Sequence, residues 1–195
     1  YFGTIEDVEG RALGTPDDYF DHDQITNYWV PDGSNDVFAN DFQIHNMRAY
    51  EHLELINARQ AWNITTGSPS VAIGIRDNSF NDSHPEIANK IIETYGYMST
   101  TGGGHGVSVA SIAAGGTNNT EGISSIGYDT SLILSGTNSP GGSLAGHCLY
   151  LAENHDEIKV INISLVGSSS QVQSDIFELI KLSLNVTVVA AAGNG

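Results

Sequence analysis

Four short apolar runs between residues 71 and 189 constrain the fold more than any other feature of the chain. They occupy residues 71–75, 131–134, 160–165 and 186–189. Each run is short and mostly continuous, which is typical of parallel strands that are covered on both faces. The segments around them have the spacing of amphipathic helices, at residues 51–62, 106–114, 143–155 and 171–184. The sequence therefore predicts an α/β fold with a mostly parallel sheet and helices on both faces.

The predicted strands end in small or polar residues. The first run leads into Asp77, and the last leads through alanines into Gly193 and Asn194. Because the carboxyl ends of parallel strands lie at one edge of a sheet, where ligands bind in open α/β folds, we expect these residues to converge. Taken alone, Asp77 is equally well an ordinary turn aspartate, and Asn194 a plain turn residue beside glycine.

The composition excludes several classes of partner. The chain carries 23 acidic and 7 basic residues, and its net charge of −16 argues against binding to nucleic acid or to anionic membranes. No apolar run approaches the length of a membrane span. A single cysteine, Cys148, excludes an internal disulfide, and its mid-helix position indicates core packing. Residues 1–50 are polar and acidic, without a clear period, and are interpreted as an N-terminal extension before a domain at 51–195.

A lone histidine, His105, lies inside a glycine-rich stretch at residues 102–116. The glycines before it, Gly103 and Gly104 among them, allow a sharply turned backbone, and small residues after it suit a closely packed helix. A histidine in the first turn of a buried helix is either a catalytic base or a satisfied structural residue. Which of these two roles His105 has therefore depends on the residues that lie beside it in the fold.

Asp77, His105 and Asn194 are the three polar groups that we expect at the ligand-binding edge. An aspartate can hold a histidine in one tautomer, so that the histidine acts as general base toward a nucleophile. An asparagine amide can donate to a developing oxyanion. Cys148 is a poor candidate for the nucleophile because of its position in the middle of a helix.

Four segments of the chain resemble one family, the subtilisin-like serine proteases, over about residues 50–195. Residues 71–77 with His84-Pro85-Glu86 resemble the aspartate box, and residues 105–110 resemble the histidine box. Residues 161–167 resemble the substrate-binding strand, and residues 190–194 the segment that carries the oxyanion asparagine. The resemblance implies a serine endopeptidase with Asp77, His105 and Asn194 as catalytic residues, and it makes 51–195 the N-terminal portion of the catalytic domain.

The resemblance also implies how this chain binds peptide and metal. A peptide or protein substrate is expected to lie as an extended strand against Ser164, Leu165, Val166 and Gly167, with Gly136 and the loop after it as the opposite wall. Leu165 and residues 190–193 are expected to line the pocket before the scissile bond. The resemblance further implies a structural calcium near Glu86 and Asn119, which agrees with the acidic composition, and a secreted or extracytoplasmic location.

The chain departs from the family pattern in several places. Asn78 and Ser79 stand where the family has Ser or Thr and then Gly, and the charge of Arg76 beside Asp77 leaves open a competition with His105 for the Asp77 carboxylate. Ser108 replaces the second histidine of the histidine box. The serine box is absent, so the nucleophile is expected on a companion chain or a missing segment. Two alternatives stay open: a catalytically inactive subtilase-like binding protein and, more weakly, a nucleotide-binding α/β domain.

Overall fold

The computed structural model describes residues 53, 55–99, 104–119, 122–167 and 169–193. The predicted extension at residues 1–50 and the candidate oxyanion residue Asn194 lie outside the described residues.

Helices and strands alternate along the described chain. The helices are α1 Ala58–Trp62, α2 Pro85–Ala88, α3 His105–Ala114, α4 Leu144–Asn154 and α5 Gln171–Ser183. The strands are β1 Ala72–Arg76, β2 Ile91–Tyr95, β3 Ser131–Ser135, β4 Ile158–Ile163 and β5 Thr187–Ala190. The described strands form one sheet in the order β2-β3-β1-β4-β5, and every pair of neighbours is parallel. The predicted α/β fold with a mostly parallel sheet is confirmed.

The two faces of the sheet are covered by different helices and have separate cores. Helices α2 and α3 pack on one face, around buried residues such as Ile75, Phe80 and Leu134. Helices α4 and α5 pack on the other, around buried residues such as Leu151 and Ile161. Because side chains alternate along a strand, consecutive residues of β1 point to different helices. This alternation decides where the residues at the end of β1 point.

One strand was not predicted from the sequence. Strand β2 lies at an edge of the described sheet, pairs only with β3, and leaves Ile92 47% exposed. Its two isoleucines are followed by Glu93 and Thr94, so it lacks the continuous apolar run of a central strand. An edge strand needs fewer apolar residues because one of its sides has no neighbouring strand.

The helices predicted at 106–114, 143–155 and 171–184 begin and end close to their observed bounds, whereas α1 begins only at Ala58, well inside the helix predicted at 51–62. Three apolar residues of the predicted helical spacing do not face the core. Leu55 is 79% exposed although it shares the spacing of the buried Ala58 and Trp62, since the left-handed Asn57 separates it from α1. In α5, Val172 is 67% and Leu179 is 46% exposed. Cys148, in contrast, is fully buried in the core as predicted. No helix within the described residues is long and apolar enough to cross a membrane.

Candidate active site

Asp77 follows β1 directly and is held from both sides at the carboxyl edge of the sheet. Its backbone N–H donates to the Ser135 carbonyl of β3 at 3.2 Å. Its Oδ1 accepts the N–H of Asn78 at 2.6 Å, and the whole residue is inaccessible to solvent. A carboxylate in such a place needs further partners, because an unpaired buried charge is costly.

His105, the first residue of α3, supplies that partner. Its Nδ1 lies 2.8 Å from Oδ1 and 3.0 Å from Oδ2 of Asp77. The imidazole side chain is 61% exposed while the carboxylate is fully buried. Since an ionised carboxylate only accepts hydrogen bonds, Nδ1 carries the proton and the neutral ring has its lone pair at Nε2. No hydrogen bond to Nε2 is present among the described residues, so this atom is available to take a proton.

The start of α3 is held against the 78–80 segment by two glycines. Gly106 donates its N–H to the Asn78 carbonyl at 2.9 Å, and a Cβ at Gly106 would lie 2.7 Å from the Phe80 ring. A Cβ at Gly104 would overlap the Ser79 carbonyl oxygen. Gly104 itself has extended backbone with φ −139°, so it is required for the close approach rather than for a turn, contrary to the expectation from sequence. Ser79 adopts a left-handed φ of 58°.

Arg76 forms no hydrogen bond with the Asp77 carboxylate, so the competition left open by the sequence is not observed. The two residues are adjacent, but Arg76 points to the α4 face, where its Nε donates to Nδ1 of His147 at 3.0 Å. Its Nη1 donates to the backbone carbonyls of Asp77 and Ser135 at 2.6 and 3.2 Å. The alternation of side chains at the end of β1 thus separates the arginine from the Asp77–His105 pair.

The predicted substrate-binding segment lies beside two cavities. The first, the strand-end cavity, has a volume of about 270 Å³, and its walls include Leu165, Val166, Gly167 and the alanines at 190–192. The structure thus brings together the two segments predicted to line the pocket before the scissile bond. The second, the arginine cavity, has a volume of about 520 Å³ and shares residues 165–167 with the first.

Two of the predicted substrate-binding residues line neither cavity. Ser164 accepts a hydrogen bond from Nδ2 of Asn162 at 2.9 Å. Gly136 is buried, and its N–H donates to the Tyr95 carbonyl at 2.8 Å. Ser143 and Leu144 at the start of α4 line the arginine cavity together with Leu165.

Glu86 and Asn119 both lie beside Gly116. The Gly116 N–H donates to the Glu86 carbonyl at 2.6 Å, and a Cβ at Gly116 would lie 2.6 Å from Nδ2 of Asn119. The Glu86 carboxylate is nearly buried, lies against Gly122, and its Oε1 accepts the Ile123 N–H at 3.4 Å. Within the described residues, no three His, Cys, Asp or Glu side chains are grouped to hold a metal ion. A cation here would rely on one carboxylate and on amide and carbonyl oxygens.

A third group of polar residues, which the sequence did not predict as a unit, lies under the arginine cavity. Arg76, His147 and Cys148 are all buried. Burial and the neighbouring Arg76 charge lower the pKa of His147, and a hydrogen bond with the Ser139 backbone offsets part of this decrease. Burial raises the pKa of the Cys148 thiol to about 12, so the thiol is protonated and unreactive at neutral pH.

Sequence comparison identifies the family to which the chain is similar. A sequence model described as the subtilase family matches residues 68–195. Thermitase from Thermoactinomyces vulgaris is 34% identical over 152 residues, which cover 71% of this chain and 52% of thermitase. Halolysin from Haloferax mediterranei is 34% identical over 154 residues, which cover 71% of this chain and 29% of halolysin. The chain thus spans about half the length of thermitase and less of halolysin.

Solved structures show the same fold at lower identity. A protease from Pseudoalteromonas arctica PAMC 21717 superposes with a TM-score of 0.55 at 23% identity, covering 69% of this chain and 52% of that protein. MycP1 with its N-terminal propeptide removed superposes with a TM-score of 0.56 at 20% identity, covering 73% of this chain and 48% of MycP1. The family match covers more than half of the chain. The chain belongs to the subtilase family.

Proposed function

We propose that the protein is a serine endopeptidase in which Asp77 and His105 activate a serine hydroxyl. The observation that carries this proposal is the pairing of the histidine Nδ1 with both oxygens of a fully buried carboxylate, at 2.8 and 3.0 Å. The rest of the imidazole is exposed at the edge of the sheet where substrates bind. Such a pair fixes the tautomer that a general base needs.

The proposed reaction has two halves, formation of an acyl ester and its hydrolysis. In each half His105 first takes a proton and then gives it up. Nε2 of His105 takes the serine proton as Oγ attacks the peptide carbonyl carbon, and the Asp77 carboxylate stabilises the imidazolium that forms. The same nitrogen then protonates the departing amine, which breaks the peptide bond and leaves an acyl ester. In the second half, water attacks the ester by the same route, and the serine regains its proton.

The remaining catalytic groups are proposed from the family. The serine would come from outside these 195 residues, on a companion chain or a further segment of the same protein. Asn194 follows the alanines that line the strand-end cavity, and its amide would donate to the oxyanion. A peptide substrate would add as a strand along Ser164 to Gly167, with the side chain before the scissile bond in the strand-end cavity.

Labelling with a fluorophosphonate probe tests the proposal, because the probe reacts only with an activated serine. We expect the intact protein to be labelled, and His105→Ala to reduce the labelling rate by at least about a thousandfold. Ser108→Ala, an exposed change on the same helix, serves as the matched control and should retain the labelling. An unlabelled, folded protein that hydrolyses no peptide but binds one would instead support the inactive binding protein.

We also propose a structural calcium held in part by Glu86 and Asn119. The donor chemistry of the two side chains fits calcium, which prefers carboxylate, amide and carbonyl oxygens, and the net charge of −16 favours a bound cation. A chelator should therefore lower the thermal midpoint of unfolding, and Glu86→Gln should make the protein insensitive to it. An unchanged midpoint in the unmodified protein would exclude this site.

A secreted or extracytoplasmic location completes the proposal, and the family resemblance supports it. Fractionation of cells that produce the full protein, followed by detection of the labelled species in the medium or the periplasm, tests it. Detection in the cytosol alone would contradict it.

A further inference from the structure

Arg76 is a cation buried at the end of the central strand. It is only 8% exposed, and it lies on the α4 face of the sheet beside His147. An arginine remains protonated at neutral pH, although burial lowers the pKa of this guanidinium. Proteins seldom bury a cation without an anion because desolvation of the charge is costly.

The partners of Arg76 within the described residues are all neutral acceptors. Nε donates to the unprotonated Nδ1 of His147, and Nη1 donates to the carbonyls of Asp77 and Ser135. No hydrogen bond from Nη2 is present in the described part of the chain. The nearest anion in sequence, the Asp77 carboxylate, is on the other face of the sheet and is paired with His105. Within the described residues the guanidinium therefore forms no ion pair, and the nearby Asp77 charge acts on its pKa only through space.

Arg76 lines the arginine cavity, and the other described residues that line it carry no charge. Polar side chains of Ser143, Ser170 and Gln173 share the wall with Leu144 and Ile176. The volume of about 520 Å³ is within the range of ligand pockets and exceeds what one long side chain fills. The cavity is therefore a mostly apolar space with one positive charge at its base.

The cavity also borders the segment along which we propose that the peptide lies. Leu165, Val166 and Gly167 line both the arginine cavity and the strand-end cavity. Alternate side chains of an extended peptide point to the same side, so a peptide on this segment can place one side chain in each cavity. The arginine cavity thus receives a side chain other than the one next to the scissile bond.

We propose that the arginine cavity binds an acidic side chain of the peptide substrate, whose carboxylate pairs with Arg76. This inference rests on the proposed peptidase function and names its substrate class: peptides with Asp or Glu at one position before the cleavage site. Nη2 supplies the hydrogen bond, and the planar guanidinium suits a carboxylate better than a point charge does. The walls from Leu144, Leu165 and Ile176 exclude water and strengthen the pair.

A purely structural role for Arg76 makes a different prediction. By donating to the carbonyls of Asp77 and Ser135, Arg76 also holds the backbone that carries the catalytic aspartate. Loss of that support lowers kcat for every peptide alike. Loss of a carboxylate partner lowers kcat/KM only for peptides with an acidic side chain at the relevant position.

The test measures kcat/KM of the full protease on matched peptides that carry Glu, Gln or Leu at each position before the scissile bond. We expect Glu to be preferred over Gln by about tenfold or more at one position. Arg76→Met should abolish that preference, and Arg76→Lys should retain part of it. Equal rates for Glu and Gln at every position, with active enzyme, overturn the inference.

A second variant guards against misfolding of the arginine variants. Gln173→Glu places a carboxylate in the cavity wall without removing Arg76, and we expect it to reduce the Glu preference to below about threefold. Ser183→Glu, an exposed change on the same helix outside the cavity, is the matched control and should keep the preference. A Glu preference that survives Gln173→Glu would contradict the pairing.

Binding separates failure of this inference from failure of the proposed function. If the intact protein is not labelled by fluorophosphonate and cleaves nothing, the peptidase proposal fails. Fluorescence anisotropy with labelled Glu and Gln peptides then still measures the affinity of each peptide for the arginine cavity. Tighter binding of the Glu peptide that is lost in Gln173→Glu supports an acidic-peptide site, and equal affinities exclude it.

Discussion

Replacement of Gly104 by alanine tests how precisely the start of α3 must be held. The backbone of Gly104 is extended, so alanine meets no conformational penalty there. The added Cβ, however, would overlap the Ser79 carbonyl oxygen and lie within contact of the Ser79 Cβ. Real Cβ atoms essentially never come closer than 3.0 Å to such neighbours. The helix start and the 78–80 segment must therefore separate by roughly 1 Å.

That separation acts directly on the Asp77–His105 pair. Gly104 precedes His105, and Nδ1 is now 2.8 Å from Oδ1 of Asp77, so a shift of this size breaks the short hydrogen bond. Overpacking of this kind costs about 1–3 kcal/mol in the free energy of unfolding, which lowers the thermal midpoint by roughly 5 °C. A misplacement of about 1 Å in a catalytic group lowers kcat by about a hundredfold.

Two measurements check the prediction for Gly104→Ala: thermal unfolding, and kcat on a peptide substrate of the complete protease. Gly167→Ala is the matched control for stability, because a Cβ there has no atom within 4 Å. It should leave the thermal midpoint within about 1 °C. If Gly104→Ala kept both the midpoint and kcat of the parent protein, the close approach of α3 to Ser79 would not hold the histidine.

Two further predictions concern groups on opposite faces of the sheet. Asp77→Asn should lower kcat by about 10⁴-fold, because the amide favours the wrong tautomer of His105. Circular dichroism checks that the variant keeps the fold. A loss of kcat of less than tenfold would refute this role of Asp77. The pKa of His147 is lowered by burial and the Arg76 charge, so the unfolded chain binds more protons as the pH falls through 6.5. The free energy of unfolding from urea titrations should therefore decrease below about pH 6.5 and level off above it. His147→Gln should remove that part of the slope, and an identical slope in both proteins would contradict the assignment.

The sequence sufficed to predict the fold class and four strands because those strands are central or short and apolar. Runs such as 71–75 and 131–134 bury both faces, so hydrophobicity alone marks them. Strand β2 was missed since an edge strand with Glu93 and Thr94 lacks that signal. The close approach of Asp77 and His105 followed from parallel topology, which places the carboxyl ends of all strands at one edge.

The sequence alone did not predict how individual residues meet. Gly104 was expected to serve a sharp turn, whereas its extended backbone makes it a contact glycine against Ser79. Periodicity reports local conformation, but a contact between segments 25 residues apart depends on how the helix packs. Gly136 was expected in the wall of the substrate site, and in the structure it is buried, donates to the Tyr95 carbonyl and lines neither cavity.

The position of Arg76 could have been predicted from the period of a strand. Arg76 and Asp77 are neighbours at the end of β1, and residues one apart on a strand point to opposite faces. The Asp77 carboxylate is therefore bonded to His105 at the first turn of α3. The Arg76 guanidinium lies on the other face of the sheet, where it is bonded to His147 of α4 and lines the arginine cavity. Because Nη1 also donates to the Asp77 carbonyl, a substrate carboxylate at Arg76 would bind to a group that is already bonded to the backbone of the proposed catalytic aspartate. A charged residue is thus tolerated in a position next to the dyad because the sheet itself separates it from the carboxylate.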